Sequence, residues 1–165
     1  MRRVKLDRID RQILHDLQED GRTTNVELAK RAGISAPPCL RRVRALEAAR
    51  VIRGYHADID AEELGFGVTV FALVGLQSQA EPDLRAFEQL TIGWSEVRET
   101  YMLAGETDFL LRIVAADWDS YQRFLTTRLT AAPNVAHVRS ALAIRAAKQL
   151  PGVPIAVEAS QEAPA

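Results

Sequence analysis

The sequence predicts an α+β chain in two parts, a winged helix-turn-helix over residues 1–56 and a ferredoxin-like βαββαβ domain over residues 66–148. Three observations predict it. Before residue 50, apolar residues recur at helical spacing and are interrupted by a glycine turn. Beyond residue 66, β-rich apolar runs alternate with two short helical stretches. Charge divides at the same place. Residues 1–56 carry thirteen Lys/Arg against seven Asp/Glu, a net +6; the remainder carries eight against fifteen, a net −7.

Leu6, Ile9, Ile13, Leu14 and Leu17 share one face of a first helix, which Gly21 ends. Thr24-Asn25-Val26-Glu27 has the spacing of a capping box, in which Thr24 and Glu27 satisfy each other's amides at the start of a second helix running to Ala32. Gly33-Ile34-Ser35 forms the turn, with Gly33 left-handed and Ser35 the next N-cap. Pro37 and Pro38 are tolerated there, because first-turn amides have no intrahelical acceptor to lose. The third helix spans about Ala36 to Ala48. Cys39, Val43 and Leu46 form its buried stripe and Leu40 flanks it, leaving Ser35, Pro37, Arg41 and Arg44 on the opposite side. Val51 to Asp60 alternates as a wing and exit strand would.

A narrow apolar back and a basic front are what a helix in the DNA major groove needs. Asn25, Ser35, Pro37, Arg41, Arg42, Arg44 and Arg53 form the expected contact set for double-stranded DNA. The charge split supports it, since a basic half joined to an acidic half suits a chain of which one part meets a polyanion.

Residues 57–65 read as a linker. The strand Val68 to Leu76 is nearly all apolar, as if covered on both faces. A helix follows from Pro82 to Leu90, with Leu84 and Phe87 inward. Strands Val97–Leu103 and Phe109–Val114 flank a loop holding Gly105 and Asp108. Asp117 caps a helix carrying Tyr121, Phe124, Leu125 and Leu129, and Val135–Ile144 closes the domain as a strand. Residues 149–165, rich in Pro, Ala and Glu, read as a flexible tail.

Composition narrows the function classes. Of the 165 residues 47% are hydrophobic and 26% charged, as in ordinary globular proteins. No apolar run is long enough for a membrane span or a signal peptide, so cytoplasm is the expected compartment and no membrane partner is expected. One cysteine and three scattered histidines offer neither a disulfide nor a metal cluster. No metal, cofactor or catalytic constellation is expected.

The runs Leu6–Leu14, Asn25–Arg31, Cys39–Glu47 and Val51–Tyr55, in that order, closely resemble the Lrp/AsnC family of regulators. The Gly105-x-x-Asp108-Phe109 loop resembles that family's ligand-binding domain, so the likeness covers about residues 5–148. It implies an amino-acid effector bound between adjacent dimers, and homodimers paired through their sheets that assemble further into rings such as octamers. One departure stands out: Arg50 occupies a position after the third helix where the family usually has glycine.

The effector set expected from this likeness is Tyr101, Met102, Leu103, Gly105, Asp108 and Ser140. Asp108 can pair with an ammonium and the amides near Gly105 can receive a carboxylate. Ser140 aligns with a hydroxyl residue of family effector sites. Tyr101, Met102 and Leu103 can wall an apolar pocket, although strand residues of this kind are more often core. The function expected is a DNA-binding transcription regulator tuned by an amino acid. Two alternatives share the architecture. Siroheme decarboxylases need histidine together with arginine in the α/β half, where His137 is the only histidine. A ligand-independent architectural DNA binder would use the second domain for assembly alone.

Overall fold

The computed structural model describes residues 4–157. The described residues divide into two compact units, one holding residues 4–58 together with 148–157, the other residues 59–147.

The first unit is a three-helix cluster of α1 (Arg8–Glu19), α2 (Asn25–Ala32) and α3 (Ala36–Ala48). Its core is Ile13, Leu28, Ala29, Ala32, Cys39 and Leu46, with Leu6, Ile9, Leu14, Leu17 and Val43 packed around them. Helix α1 starts in a full capping box: Asp7 Oδ1 accepts the Asp10 amide at 2.8 Å while Asp10 Oδ2 accepts the Asp7 amide at 3.2 Å. The box expected at Thr24 is only half made. Thr24 Oγ1 accepts the Glu27 amide at 3.3 Å, but the Glu27 carboxylate turns to Arg31 one turn on, at 3.1 Å. Gly33 closes α2 at φ +68°, as the turn requires.

Helix α3 ends in a Schellman motif. The Val51 amide donates to Leu46 O at 3.0 Å and the Arg50 amide to Glu47 O at 2.9 Å. The motif needs a left-handed residue, and that residue is Arg50, at φ +58°. A non-glycine side chain there costs about 1 kcal/mol.

Two expectations change in this unit. Residues 51–60, expected as wing and exit strand, form no strand. The segment is instead pinned by Tyr55, whose hydroxyl donates to Glu47 Oε1 at 2.9 Å. Burial, and then the bond to Glu47, push that phenol up to about 12. The described part of the expected tail is also engaged, since the Gln18 side-chain amide donates to Val153 O at 2.8 Å and accepts the Val153 amide at 2.9 Å.

The second unit opens on a capped turn, in which Asp60 Oδ1 accepts the Glu62 and Glu63 amides, so the expected linker is partly folded. Its sheet comprises β1 (Val68–Leu76), β2 (Val97–Met102), β3 (Phe109–Ala115) and β4 (Val135–Leu142). The strands run in the order β2-β3-β1-β4, antiparallel throughout, which is the ferredoxin-like arrangement. Two helices, α4 (Glu81–Ile92) and α5 (Trp118–Phe124), accompany it; α5 continues as a wider π turn over Leu125–Leu129.

Period-two burial decides the core. Val70, Ala72 and Val74 of β1 and Phe109, Leu111, Ile113 and Ala115 of β3 are buried, packed with Phe87, Tyr121, Phe124 and Leu129. Aromatic edges lock the helices together, with Phe87 and Trp94 packed edge to face at 6.2 Å and Trp94 and Phe124 at 5.5 Å. The opposite face is left open by the described residues of this unit. Phe71 on β1 is exposed and Leu73 half-exposed, so β1 is not the doubly covered strand expected from its apolarity.

Candidate functional site

On the first unit, Ser35, Pro37, Arg41 and Arg44 are all exposed on the side of α3 away from its buried stripe of Cys39 and Leu46. Spacing explains this: residues 37, 41 and 44 lie four and three apart and share one line along the helix. The Ser35 hydroxyl makes no capping bond, so it too is uncommitted. Arg53 is exposed in the segment beyond. Among the described residues the ion-paired arginines are Arg31, Arg42, Arg85, Arg112 and Arg128. Arg41, Arg44, Arg50 and Arg53 form no ion pair there.

Two members of the expected DNA set have other work. The Arg42 guanidinium donates to Asp7 Oδ2 at 2.8 Å and Asp10 Oδ1 at 2.7 Å, tying α3 to the capping box of α1. The hydrogen bond from the Asp10 amide, reinforced by Arg42, holds the Asp7 carboxyl below its ordinary range. Asn25 donates from Nδ2 to Ala36 O at 2.8 Å and so braces α2 against the start of α3.

The Asp7 cap carries a pH signature. Its folded pKa lies below its unfolded value, so its stabilisation is present above about pH 4 and is lost as pH falls through the depressed folded value. Asp7→Ala is expected to cost about 1 kcal/mol at pH 7, the usual worth of an N-cap, and less at pH 2.5. Thermal melts at the two pH values check it; an equal deficit at both would refute the linkage.

On the second unit, the apolar trio named for the effector set, core by residue type, is at the surface. Tyr101 is 52% and Met102 59% exposed, and Leu103 lies at the margin of exposure. The reason is topological, since β2 is an edge strand. Tyr101 OH donates to Glu99 Oε2 at 2.8 Å and Arg112 Nε to Glu99 Oε1 at 2.7 Å, a chain of polar groups across β2 and β3.

Asp108 is only 8% exposed. Its Oδ2 accepts the Leu76 amide at 2.7 Å, at the place where the register between β1 and β4 shifts. Its backbone joins both neighbours, donating to Val74 O at 3.0 Å and accepting the Leu103 amide at 2.8 Å. Oδ1 takes no hydrogen bond from the described residues. Gly105 is exposed at the loop tip. Ser140 shares a hydrogen bond with the hydroxyl of fully buried Tyr121; burial raises that phenol, and the bond to Ser140 opposes the rise.

The six residues of the expected effector set do not share the groove beside β2. A shallow groove of about 370 Å³ between α4 and β2 includes Met102, with Thr91, Ile92, Val97 and Thr100, but none of the other five. Sequence reasoning missed the Glu99–Arg112 pair, the Leu76 amide on Asp108 and the Gln18–Val153 clasp. Only the first left a signal, opposite charges on strands of a common hairpin. Among the described residues no cluster could hold a metal ion, and no helix is long and apolar enough to cross a membrane.

Comparison with known proteins places both units. A family model described as the Lrp/AsnC ligand binding domain matches residues 69–153, and one described as the AsnC-type helix-turn-helix domain matches residues 6–47. A leucine-responsive regulatory protein of Rhizobium meliloti (strain 1021) is 55% identical over 146 residues, 88% of this chain and 94% of that protein. The Bkd operon transcriptional regulator of Pseudomonas aeruginosa is 41% identical over 142 residues, 86% of this chain and 93% of its own. Among solved structures, a transcriptional regulator of Neisseria meningitidis in complex with L-Met superposes with a TM-score of 0.85 at 35% identity, covering 91% of this chain and 97% of that one.

Proposed function

Because the chain belongs to the Lrp/AsnC family of transcription regulators, with a helix-turn-helix and a ligand-binding domain, we propose that it reads DNA through Ser35, Pro37, Arg41, Arg44 and Arg53 and responds to an apolar amino acid held near Asp108. The observation that carries the first half is the set of exposed arginines on α3 without ion pairs, beside an Arg42 whose charge is already spent on Asp7 and Asp10. A free guanidinium on the outer face of a helix is available for phosphate or guanine, and a paired one is not.

The second half rests on what surrounds Asp108. Its Oδ1 is open to an ammonium, and exposed Tyr101 and Met102 at the end of β2, with Leu103 just beyond it, add apolar surface. That setting suits methionine, leucine or another apolar amino acid, and the Neisseria relative was crystallised with L-Met. Because the groove between α4 and β2 takes in only Met102 of the six, we place the complete site between copies. The uncovered sheet face with Phe71 and Leu73 supplies a surface for the first pairing. No part of this reading requires catalysis.

The test is a thermal-shift panel of the twenty amino acids on the full chain, followed by the active ones in a DNA-binding assay. A ligand at a hundred times its Kd stabilises by about 2.7 kcal/mol. Methionine or leucine is expected to raise Tm and to change DNA affinity. A flat panel, or a sedimenting monomer at micromolar concentration with no response, would remove the shared effector site and leave the architectural reading.

A further inference from the structure

Two non-glycine residues of the described chain have positive φ, Asn134 at +67° and Arg50 at +58°. Asparagine is one of the side chains that tolerates this region, and Asn134 is further secured by its own amide: Oδ1 accepts the Ser78 amide at 2.9 Å and Nδ2 donates to Ser78 O at 2.9 Å. Arg50 has neither advantage. Its side chain is exposed and makes no ion pair or side-chain hydrogen bond with the described residues. No side-chain bond to the described residues offsets its strain, and glycine at that position would close the same Schellman motif without it. Uncompensated strain at a surface residue points to an external partner.

We infer that Arg50 is an additional anchor for the DNA backbone, a phosphate contact beyond the base-reading face of α3. This rests on the reading of α3 as the DNA-facing helix and extends it to the helix end. At a rise of about 1.5 Å per residue, the thirteen residues of α3 span about 20 Å, whereas the major groove is about 12 Å wide. A helix seated there by its first half carries its last turn past the groove wall. Arg50 stands two residues past the end of α3, six beyond Arg44 and three before exposed Arg53. Its neighbours on the chain are basic or neutral from Ala48 to Gly54, so an approaching phosphate meets no acid in that stretch.

Two variants separate strain from charge. Arg50→Gly removes both and Arg50→Ala removes only the charge, since alanine keeps the left-handed cost. Because a phosphate contact is independent of sequence, the probe is a random-sequence 30-base-pair duplex, titrated at several salt concentrations. Both variants are expected to bind it several-fold more weakly at low salt, and the slope of log K against log salt should shrink by about 0.9 for each bound copy, the loss of one phosphate apiece. Arg50→Gly alone should raise Tm, by about 4–8 °C for a unit of this size. Stability and affinity would then move in opposite directions at one residue. If the wild type binds the duplex and both variants keep its slope and affinity, the anchor is refuted. If the wild type has no affinity for any duplex, the DNA-facing reading of α3 falls first and this inference with it.

Discussion

Arg41→Ala and Arg44→Ala are each expected to weaken binding to a preferred site, selected from a random duplex pool, by about 1–3 kcal/mol, while the fold is unaffected. The magnitude is that of an arginine contact to a base edge. Both are exposed and neither is ion-paired among the described residues, so truncation breaks no ion pair there and the main loss falls on the complex. If an arginine reads a guanine, its alanine variant relaxes specificity at one base pair. If it grips a phosphate, the variant weakens every sequence alike and flattens the salt dependence.

Arg42→Ala supplies the contrast. It releases Asp7 and Asp10 and should lower the Tm of the first unit, yet leave site preference intact; at partial exposure the two ion pairs contribute no more than about 1 kcal/mol each. Band shifts and melts on the three variants decide the assignment. Wild-type affinity in both Arg41→Ala and Arg44→Ala would remove α3 as the reading helix.

That contrast also shows where the sequence stops being legible. The helices and strands could be read because their periods, 3.6 and 2, are written in neighbouring residues: Ile13 and Leu46 fall inward by spacing alone, as do Leu111 and Ile113. Arg42 could not be separated from Arg41 in the same way. Its carboxylate partners lie 32 and 35 residues away, and only the packing of α1 on α3 brings them together. Alternation over Val51–Asp60 resembled a wing, but alternation makes a strand only when another strand is beside it, and the described chain offers none. Tyr101, Met102 and Leu103 were apolar enough for core. Their exposure follows from the position of β2 at the sheet edge, a property of strand order and not of the residues. Arg50 is the opposite case, since the left-handed end of α3 could be anticipated from the position and the residue standing there was the anomaly.

The largest expected effect is at Asp108, where one carboxylate is asked to do two things. Asp108 Oδ2 holds the Leu76 amide at 2.7 Å in a buried setting, beside the register shift between Gly75 and Leu76. Asp108→Ala leaves that donor without an acceptor and should cost about 1–3 kcal/mol of stability. The same substitution should remove about 2–5 kcal/mol of effector affinity, because the ligand ammonium loses its counter-charge in a partly buried site. Alanine alone cannot separate the two roles, since a loosened β1–β3 end would weaken binding as well. Asp108→Asn can. The asparagine oxygen still accepts from Leu76, so Tm should remain close to wild type, while its neutral amide offers an ammonium no charge. Calorimetry with the amino acid that gives the largest thermal shift is expected to show affinity lost in both variants and stability lost only in the alanine. If Asp108→Asn binds that amino acid as tightly as wild type, the carboxylate serves the Leu76 amide and nothing else, and the effector site must be sought on the exposed side of β2.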